Sequence, residues 1–261
     1  MRVVTCFSTL GCPQLSLREA IALAAAHDLP MLEIRAVSGS TDLPRILAAE
    51  FGSPAQLSDH LARSPVAIAV VGSSHRLWGG QFDSDDLERL ALWADAAGAR
   101  YMRLFDGDAG GLDQNGLDEA AARLQIWRDI RTRKGFAVDL IVETHGALCA
   151  DEALAQFCAR FPDQPILWDT HHTWAGGNGL DHTLGIIGPR LAHIHVKDST
   201  LANGQRRYVL PGHGDFPMDK LVALLADPAL PCNAVSLEWE LLWHPELPDL
   251  QTALGHAASW A

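Results

Sequence analysis

Residues 138–145 read VDLIVETH, an apolar run that closes on a carboxylate, Glu143, and two positions later on a histidine, His145. Three later stretches close in the same manner: PILWDTHH (165–172) on Asp169, LAHIHVKD (191–198) on His195 and NAVSLEWE (233–240) on Glu238. These four polar side chains stand 26, 26 and 43 residues apart. A parallel strand with its return helix takes roughly 25–40 residues, so the spacing predicts the tips of four successive parallel strands. Three carboxylates and an imidazole brought to one point would repel one another and suffer desolvation unless a cation held them. Oxygen-rich ligands with a single imidazole suit a hard or borderline divalent ion: Mn²⁺, Mg²⁺, Co²⁺ or Zn²⁺.

Outward from these stretches, strand-like runs alternate with helix-like runs along the whole chain. The strand candidates are 3–7, 31–35, 66–71, 101–105, 138–143, 166–170, 192–196 and 234–239, eight in all. Ser16 and Glu19 form a capping box that leads into an Ala-rich helix reaching His27. Asp83 opens a helix running through Trp93 to about Ala97, with Gly98 after it, and Asp118 opens another that passes Arg131 and ends near Gly135. Later starts fall at Asp151 and Pro217, with Pro162 and Pro228 as stops. Residues 42–64 hold two short helices broken at Gly52-Ser53-Pro54. Repeated βα units favour a parallel sheet, and eight strands predict an α/β fold of the (β/α)8 TIM-barrel type. An open doubly wound sheet is the runner-up, but its Gly-rich first turn is missing: residues 8–13 read STLGCP. No linker or low-complexity tract divides the chain, so we expect one domain over 1–261.

Composition narrows the function. Hydrophobic residues make up 48% of the chain, with eight Trp and eight Phe, enough for a sizeable core. A formal net charge of −12 argues against nucleic acid as a partner, although a local cation leaves room for a small phosphorylated substrate. The five cysteines are scattered without a CxxC pair, as in a reduced cytosolic setting. The N-terminus reads as an opening strand rather than a signal peptide, and no apolar run approaches the roughly 18 residues that would span a bilayer. A cytoplasmic protein with no membrane partner is expected. Apolar positions on the helix ring would permit a homo-oligomer.

The ordered set VETH, WDTHH, HIHVKD and SLEWE resembles the xylose isomerase-like TIM-barrel superfamily, specifically its sugar (phosphate) isomerase/epimerase branch. The similarity extends from MLEIR (31–35) to the last helix, and PGHGDF (211–216) resembles the family's Gly-x-Gly-Asp turn between strands seven and eight. The resemblance implies that Glu143, Asp169, His195 and Glu238 ligate one divalent metal ion. It also implies that His172, in the Asp-x-x-His motif, meets the substrate, and that Glu33 supports the substrate rim at the second strand. Counting by two along the strand would instead select His171.

A site of this kind suits proton movement next to a carbonyl. The implied activity is a metal-dependent isomerase or epimerase of a small sugar or sugar-like hydroxy-ketone, working through a metal-stabilised enediolate. Glu143 and Glu238 would act as catalytic base and acid on opposite faces. Dehydration of an inosose-type ketone is the cousin reaction on the same site. His145 and Lys197 are candidates for proton handling or hydroxyl recognition, His75 and, on the loop after strand seven, Arg206 (or Arg207) for substrate contact, and Trp78, Phe105, Trp174 and Trp239 for the pocket walls. Trp174, within the flexible-looking loop that carries the Gly-rich run 176–179, is a candidate lid; His193 reads as a core histidine and His213 as part of a solvated turn. An endonuclease IV-like DNA-repair hydrolase is the hydrolytic rival. It needs a further Asp-x-His pair after strand seven and a His on earlier strands, and the chain offers Asp198 without that partner and RLFDG without a His. A silent sugar-binding barrel would have no reason to keep four costly polar groups together.

Overall fold

The computed structural model describes residues 3–108, 110–227, 230, 232, 234–258 and 260. Seven strands form in chain order: β1 (Cys6–Phe7), β2 (Met31–Ile34), β3 (Ala67–Arg76), β4 (Tyr101–Phe105), β5 (Asp139–Glu143), β6 (Ile166–Asp169) and β7 (Leu191–Val196). A hairpin of β8 (Asp198–Ala202) and β9 (Gln205–Val209) follows, and β10 (Val235–Leu237) completes the set. β10 pairs with both β7 and β1, so the parallel ring runs in chain order once the hairpin is set aside. A single parallel bridge, Ser8 to Glu33, joins β1 to β2 and closes it. This is a single-domain TIM barrel. Among the described residues no helix is long and apolar enough to cross a membrane.

Helices cover the outside: α1 (Leu17–Ala26), α2 (Leu43–Phe51), α3 (Pro54–Leu61), α4 (Ser84–Ala96), α5 (Gln114–Lys134), α6 (Asp151–Arg160), α7 (Thr170–Ala175), α8 (Leu180–Ile187), α9 (Met218–Leu225) and α10 (Leu250–Ala257). Local chemistry sets their ends. The Ser16–Glu19 capping box starts α1, and the Asp83 carboxylate accepts from the N–H groups of Asp85 and Asp86 to start α4. α5 begins four residues before the expected Asp118, because Asp113 accepts the N–H of Gly116 and caps it there. Gly135, left-handed at φ 73°, ends the same helix. Pro228 lies outside the described residues.

Two elements depart from the sequence reading. The sixth strand stops at Asp169, whose Oδ1 accepts the His172 N–H at 2.8 Å and so caps α7; Trp174 therefore sits on a helix and not in a loop. The segment after β7 is a hairpin, so Arg206 and Arg207 lie on β9 and not on a loop. Its tip is Asn203-Gly204, both at positive φ (53° and 74°), the backbone that a two-residue hairpin turn demands.

The interior is layered. Val70, Tyr101, Ile141, Leu167 and Ala192 form an apolar plug inside the ring. Strand side chains alternate, so residues two positions further along face inward directly above the plug. On β4, β5 and β6 those residues are Arg103, Glu143 and Asp169. On β7 the register against β6 skips a residue, pairing Ile166 with Leu191 but Leu167 with His193. That bulge brings His193 and His195 to the inner face. A second, larger core seals the sheet against the helices, and it contains Trp127, Trp168 and Trp239.

Asp198 ties the hairpin to the barrel rim. Its carboxylate accepts from the backbone N–H groups of Ser199 (2.8 Å), Gly212 (2.9 Å), Gly214 (2.9 Å) and Phe216 (3.2 Å). A Cβ on Gly214 would overlap this carboxylate, which explains the glycine in PGHGDF. Asp198→Ala strands buried donors and is expected to lower stability by on the order of 2–4 kcal/mol. Urea unfolding reads this as a lower midpoint at unchanged slope; a midpoint equal to the parent's would refute the tie.

Candidate metal centre

Glu143, Asp169, His195 and Glu238 come from the C-terminal ends of β5, β6 and β7 and from the residue after β10. Each offers one ligand atom within 4.8 Å of the others. His195 is the hub. Its Nδ1 lies 3.4 Å from Glu143 Oε1, 3.2 Å from Glu238 Oε1 and 4.0 Å from Asp169 Oδ2. Its other nitrogen, Nε2, is 2.8 Å from Glu33 Oε2, which also meets His193 Nε2 at 3.1 Å. Glu33 thus fixes the imidazole from behind, with Nδ1 turned to the carboxylates. Glu143 Oε1, Asp169 Oδ2 and His195 Nδ1 are buried without a hydrogen-bond partner. Buried polar atoms without a hydrogen bond of good geometry around one point fit a cation, and one nitrogen with three carboxylate oxygens fits a divalent one.

Fixed positive charges hold the cluster from the sides. Arg103 Nε is 3.0 Å from Glu143 Oε2. Lys197 Nζ reaches Asp169 Oδ2 at 2.8 Å, Glu240 Oε1 at 2.6 Å and also Glu238. Burial works to raise every carboxylate here, and the outcome depends on the neighbours. For Glu143, Arg103 and His195 outweigh burial and hold the pKa at about 2. For Glu238, His195 and Lys197 outweigh it and hold the carboxyl well below its ordinary range. Asp169 goes the other way, to about 6, because burial and repulsion from Glu238 and Glu143 exceed the pull of Lys197 and His195. Burial also opposes the charged form of His195, yet Glu238 and Glu33 raise its pKa well above the ordinary histidine value. In the metal-free protein the hub is an imidazolium.

A family model described as xylose isomerase-like TIM barrel matches residues 21–260. The chain belongs to this family. Solved structures agree on the fold at low identity. A probable 3-DHS dehydratase, AsbF, from Bacillus anthracis superposes with a TM-score of 0.74 at 17% identity, covering 98% of this chain and 97% of its own. An IOLI protein with a bound zinc atom gives 0.72 at 15% identity, with 100% and 96% covered. A D-tagatose 3-epimerase-like protein gives 0.66 at 14% identity, with 97% and 94% covered. Such neighbours are mostly named as enzymes. No curated protein matches the sequence.

In this xylose isomerase-like barrel the remaining sequence candidates divide. His172 stands at the mouth: its Nδ1 is 3.3 Å from Asp169 Oδ2 and its ring packs edge-on to His145 at 4.9 Å. Burial and Lys197 lower its pKa to about 4, so it is a neutral imidazole at pH 7. His145 in turn packs on Phe105 at 4.5 Å. His171 turns away, its Nε2 lying 2.6 Å from Ser199 Oγ. Arg206 NH1 donates to the same Ser199 oxygen at 3.1 Å, and its guanidinium covers the Trp174 ring at 4.4 Å. It lines a cavity of about 810 Å³ beside the mouth, with Tyr208 and His244. His213 lies 3.1 Å from His256.

Three assignments change. His75 points out of the barrel, with Nε2 3.2 Å from Asp86 Oδ2 of α4 and Nδ1 3.4 Å from the Asp83 backbone nitrogen at the start of that helix. Glu33 is fully buried behind His195, so it supports a ligand and makes no substrate contact. Lys197 is a buried ammonium held by three carboxylates, which raise its pKa well above the ordinary lysine value and make it a counter-ion within the cluster. Among the proposed walls, Trp78 packs on Phe157 and Trp239 donates to Pro248 O, both away from the mouth.

Arg103, Arg35 and Glu240 were missed. A signal existed for Arg103, since in YMRLF it shares its strand face with Tyr101 and Phe105.

The hub predicts a proton-coupled metal affinity. A metal ion taken up at Nδ1 displaces its proton, so from about pH 6, where Asp169 has lost its own proton, up to the raised His195 pKa affinity should climb roughly tenfold per pH unit. Calorimetry of Mn²⁺ binding in two buffers of different ionisation enthalpy measures this; heats that do not depend on the buffer would contradict it. His195→Ala should lose the uptake and the coupling together.

Proposed function

We propose that the protein is a divalent-metal-dependent isomerase or epimerase of a small sugar or sugar-like hydroxy-ketone. The supporting observation is the opposition of Glu143 and Glu238, whose Oε1 atoms approach His195 Nδ1 from β5 and from the end of β10. Glu143, Asp169, His195 and Glu238 would hold the ion. When bound, it would supply Lewis acidity toward a carbonyl and its neighbouring hydroxyl, lowering the cost of C–H ionisation.

The chain's own groups do the rest. Glu143 and Glu238 are both ionised at neutral pH, each with a cation on its outer oxygen, Arg103 for one and Lys197 for the other. One carboxylate takes the proton from the carbon next to the carbonyl. The other, which must first take a proton from solvent, delivers it to the same carbon from the opposite face, which inverts the centre; if the proton instead goes to the neighbouring carbon while the hydroxyl proton passes to the former carbonyl oxygen, the carbonyl moves. The pinned outer oxygens orient both inner ones. His172 and His145, neutral and packed edge to face at the rim, suit hydroxyl recognition, and Phe105 packs against His145. With a leaving hydroxyl beside the ionised carbon the same residues would dehydrate the substrate, and the dehydratase named among the structural neighbours keeps that second reading open. Manganese, a cytoplasmic location and one functional unit over residues 1–261 are part of this proposal.

A panel of ketoses, aldoses, hydroxypyruvate and inososes incubated with Mn²⁺ and protein in D₂O tests it. Deuterium should enter at one carbon of one substrate, without loss of water for an isomerase or epimerase. Glu143→Gln and Glu238→Gln should each lower kcat by roughly 10²–10⁴-fold. No deuterium uptake across the panel, or full activity after chelation, would overturn the reading.

A further inference from the structure

We propose that Arg35 forms an oxyanion subsite in the barrel mouth and that the substrate presents a carboxylate to it, which makes the substrate a hydroxy-keto acid and not a neutral ketose. This rests on the mouth being the substrate site proposed above.

Among the described residues three Lys or Arg side chains are buried: Arg35, Arg103 and Lys197. Lys197 is paired with three carboxylates and Arg103 with Glu143. Arg35 has no ion pair. Its NH2 donates to Ser74 Oγ at 2.9 Å, and its buried NH1 has no acceptor. Arg35 is 5% exposed, lies one residue past the end of β2, and sends its side chain against Gly72 of β3. A Cβ on Gly72 would lie 2.6 Å from Arg35 Cδ and 3.2 Å from Arg103 NH2. The glycine therefore makes room for two guanidinium groups side by side. Burial, then Arg103, lowers the Arg35 pKa to about 9, which still leaves it charged at pH 7.

A buried cation beside a like charge and without a counter-ion is among the costliest arrangements a fold can keep. A position needed only for packing would hold Met or Leu. An incoming anion removes the cost by accepting from NH1, and the exposed Ser74 hydroxyl stands beside it as a second donor. Glu33, Glu143 and Glu238 act on Arg35 only from a distance, so one direct counter-charge is missing, which matches a carboxylate. A phosphoryl group carries about −1.5 to −2 at pH 7, and the surplus would be repelled by Glu143 and Glu238, whose charges reach Arg35.

Calorimetric titration of the protein in the presence of Mg²⁺ with gluconate, glucitol and glucitol 6-phosphate tests this without turnover. Gluconate should bind the parent at least about tenfold tighter than glucitol, and Arg35→Met should erase that preference. The same variant should still take up Mg²⁺ and should unfold at a higher temperature, since the unpaired charge is gone. Arg35→Lys should keep part of the preference. Equal binding of gluconate and glucitol by the parent, a preference that survives in Arg35→Met, or tighter binding of glucitol 6-phosphate would overturn the proposal. A lower unfolding temperature with unchanged gluconate binding would make Arg35 structural and overturn it as well. An Arg35-dependent preference in a protein that exchanges no deuterium would sink the isomerase reading and leave the subsite standing.

Discussion

Everything at the barrel mouth depends on keeping like charges together out of water. Glu33, Glu143, Asp169 and Glu238 are all buried and converge on His195. Left to themselves, carboxylates this close would protonate or move apart. The fold prevents both by placing a cation at each side: the His195 imidazolium in the centre, Arg103 outside Glu143, and Lys197 between Asp169, Glu238 and Glu240. Asp169 is the one least compensated, and its upward pKa shift marks where charge is short. A divalent ion fits that shortage. The centre is thus an anionic cup flanked by fixed cations, with a ligand set that fits an ion from outside.

The barrel makes the cup possible through simple geometry. An apolar plug fills the lower interior, so polar side chains two residues further along each strand have nowhere to go but inward and up. The hydrogen-bonded ring fixes how high each one sits, and the bulge on β7 sets the parity of His193 and His195. Glu33 then uses the short distance across the interior to lock the imidazole. Asp169 serves twice, with one oxygen as the α7 cap and the other toward His195. Such double duty stiffens a ligand without further contacts, because the helix cap restricts the carboxylate's rotation.

The mouth is also electrically uneven. Carboxylates cluster on β5, β6 and β10, while the guanidinium groups of Arg35 and Arg103 lie on the β2–β4 side. On the function proposed here, a substrate crossing the opening would meet Glu143 and Glu238 at one end and the Arg35 guanidinium at the other. That polarity gives a bound molecule one favoured direction, which stereospecific proton transfer requires.

Much of this was legible in the chain. Apolar runs ending in Glu143, Asp169, His195 and Glu238 at βα spacing determined the parallel barrel and the composition of its rim. Capping residues such as Ser16 and Asp83 determined helix starts, since those bonds are local. The Asn203-Gly204 turn was readable too and went unused. The tertiary structure alone decided matters of facing and pairing. His75 lies at the correct strand end but on the outward face, because strand parity in a barrel is set by the register of neighbours. Lys197 became a fixed counter-ion and Arg35 a buried charge without one, since a side chain's partners come from strands distant in sequence. Residue types near a strand end follow from local order; which charges end up within 4 Å of each other follows only from closure of the ring.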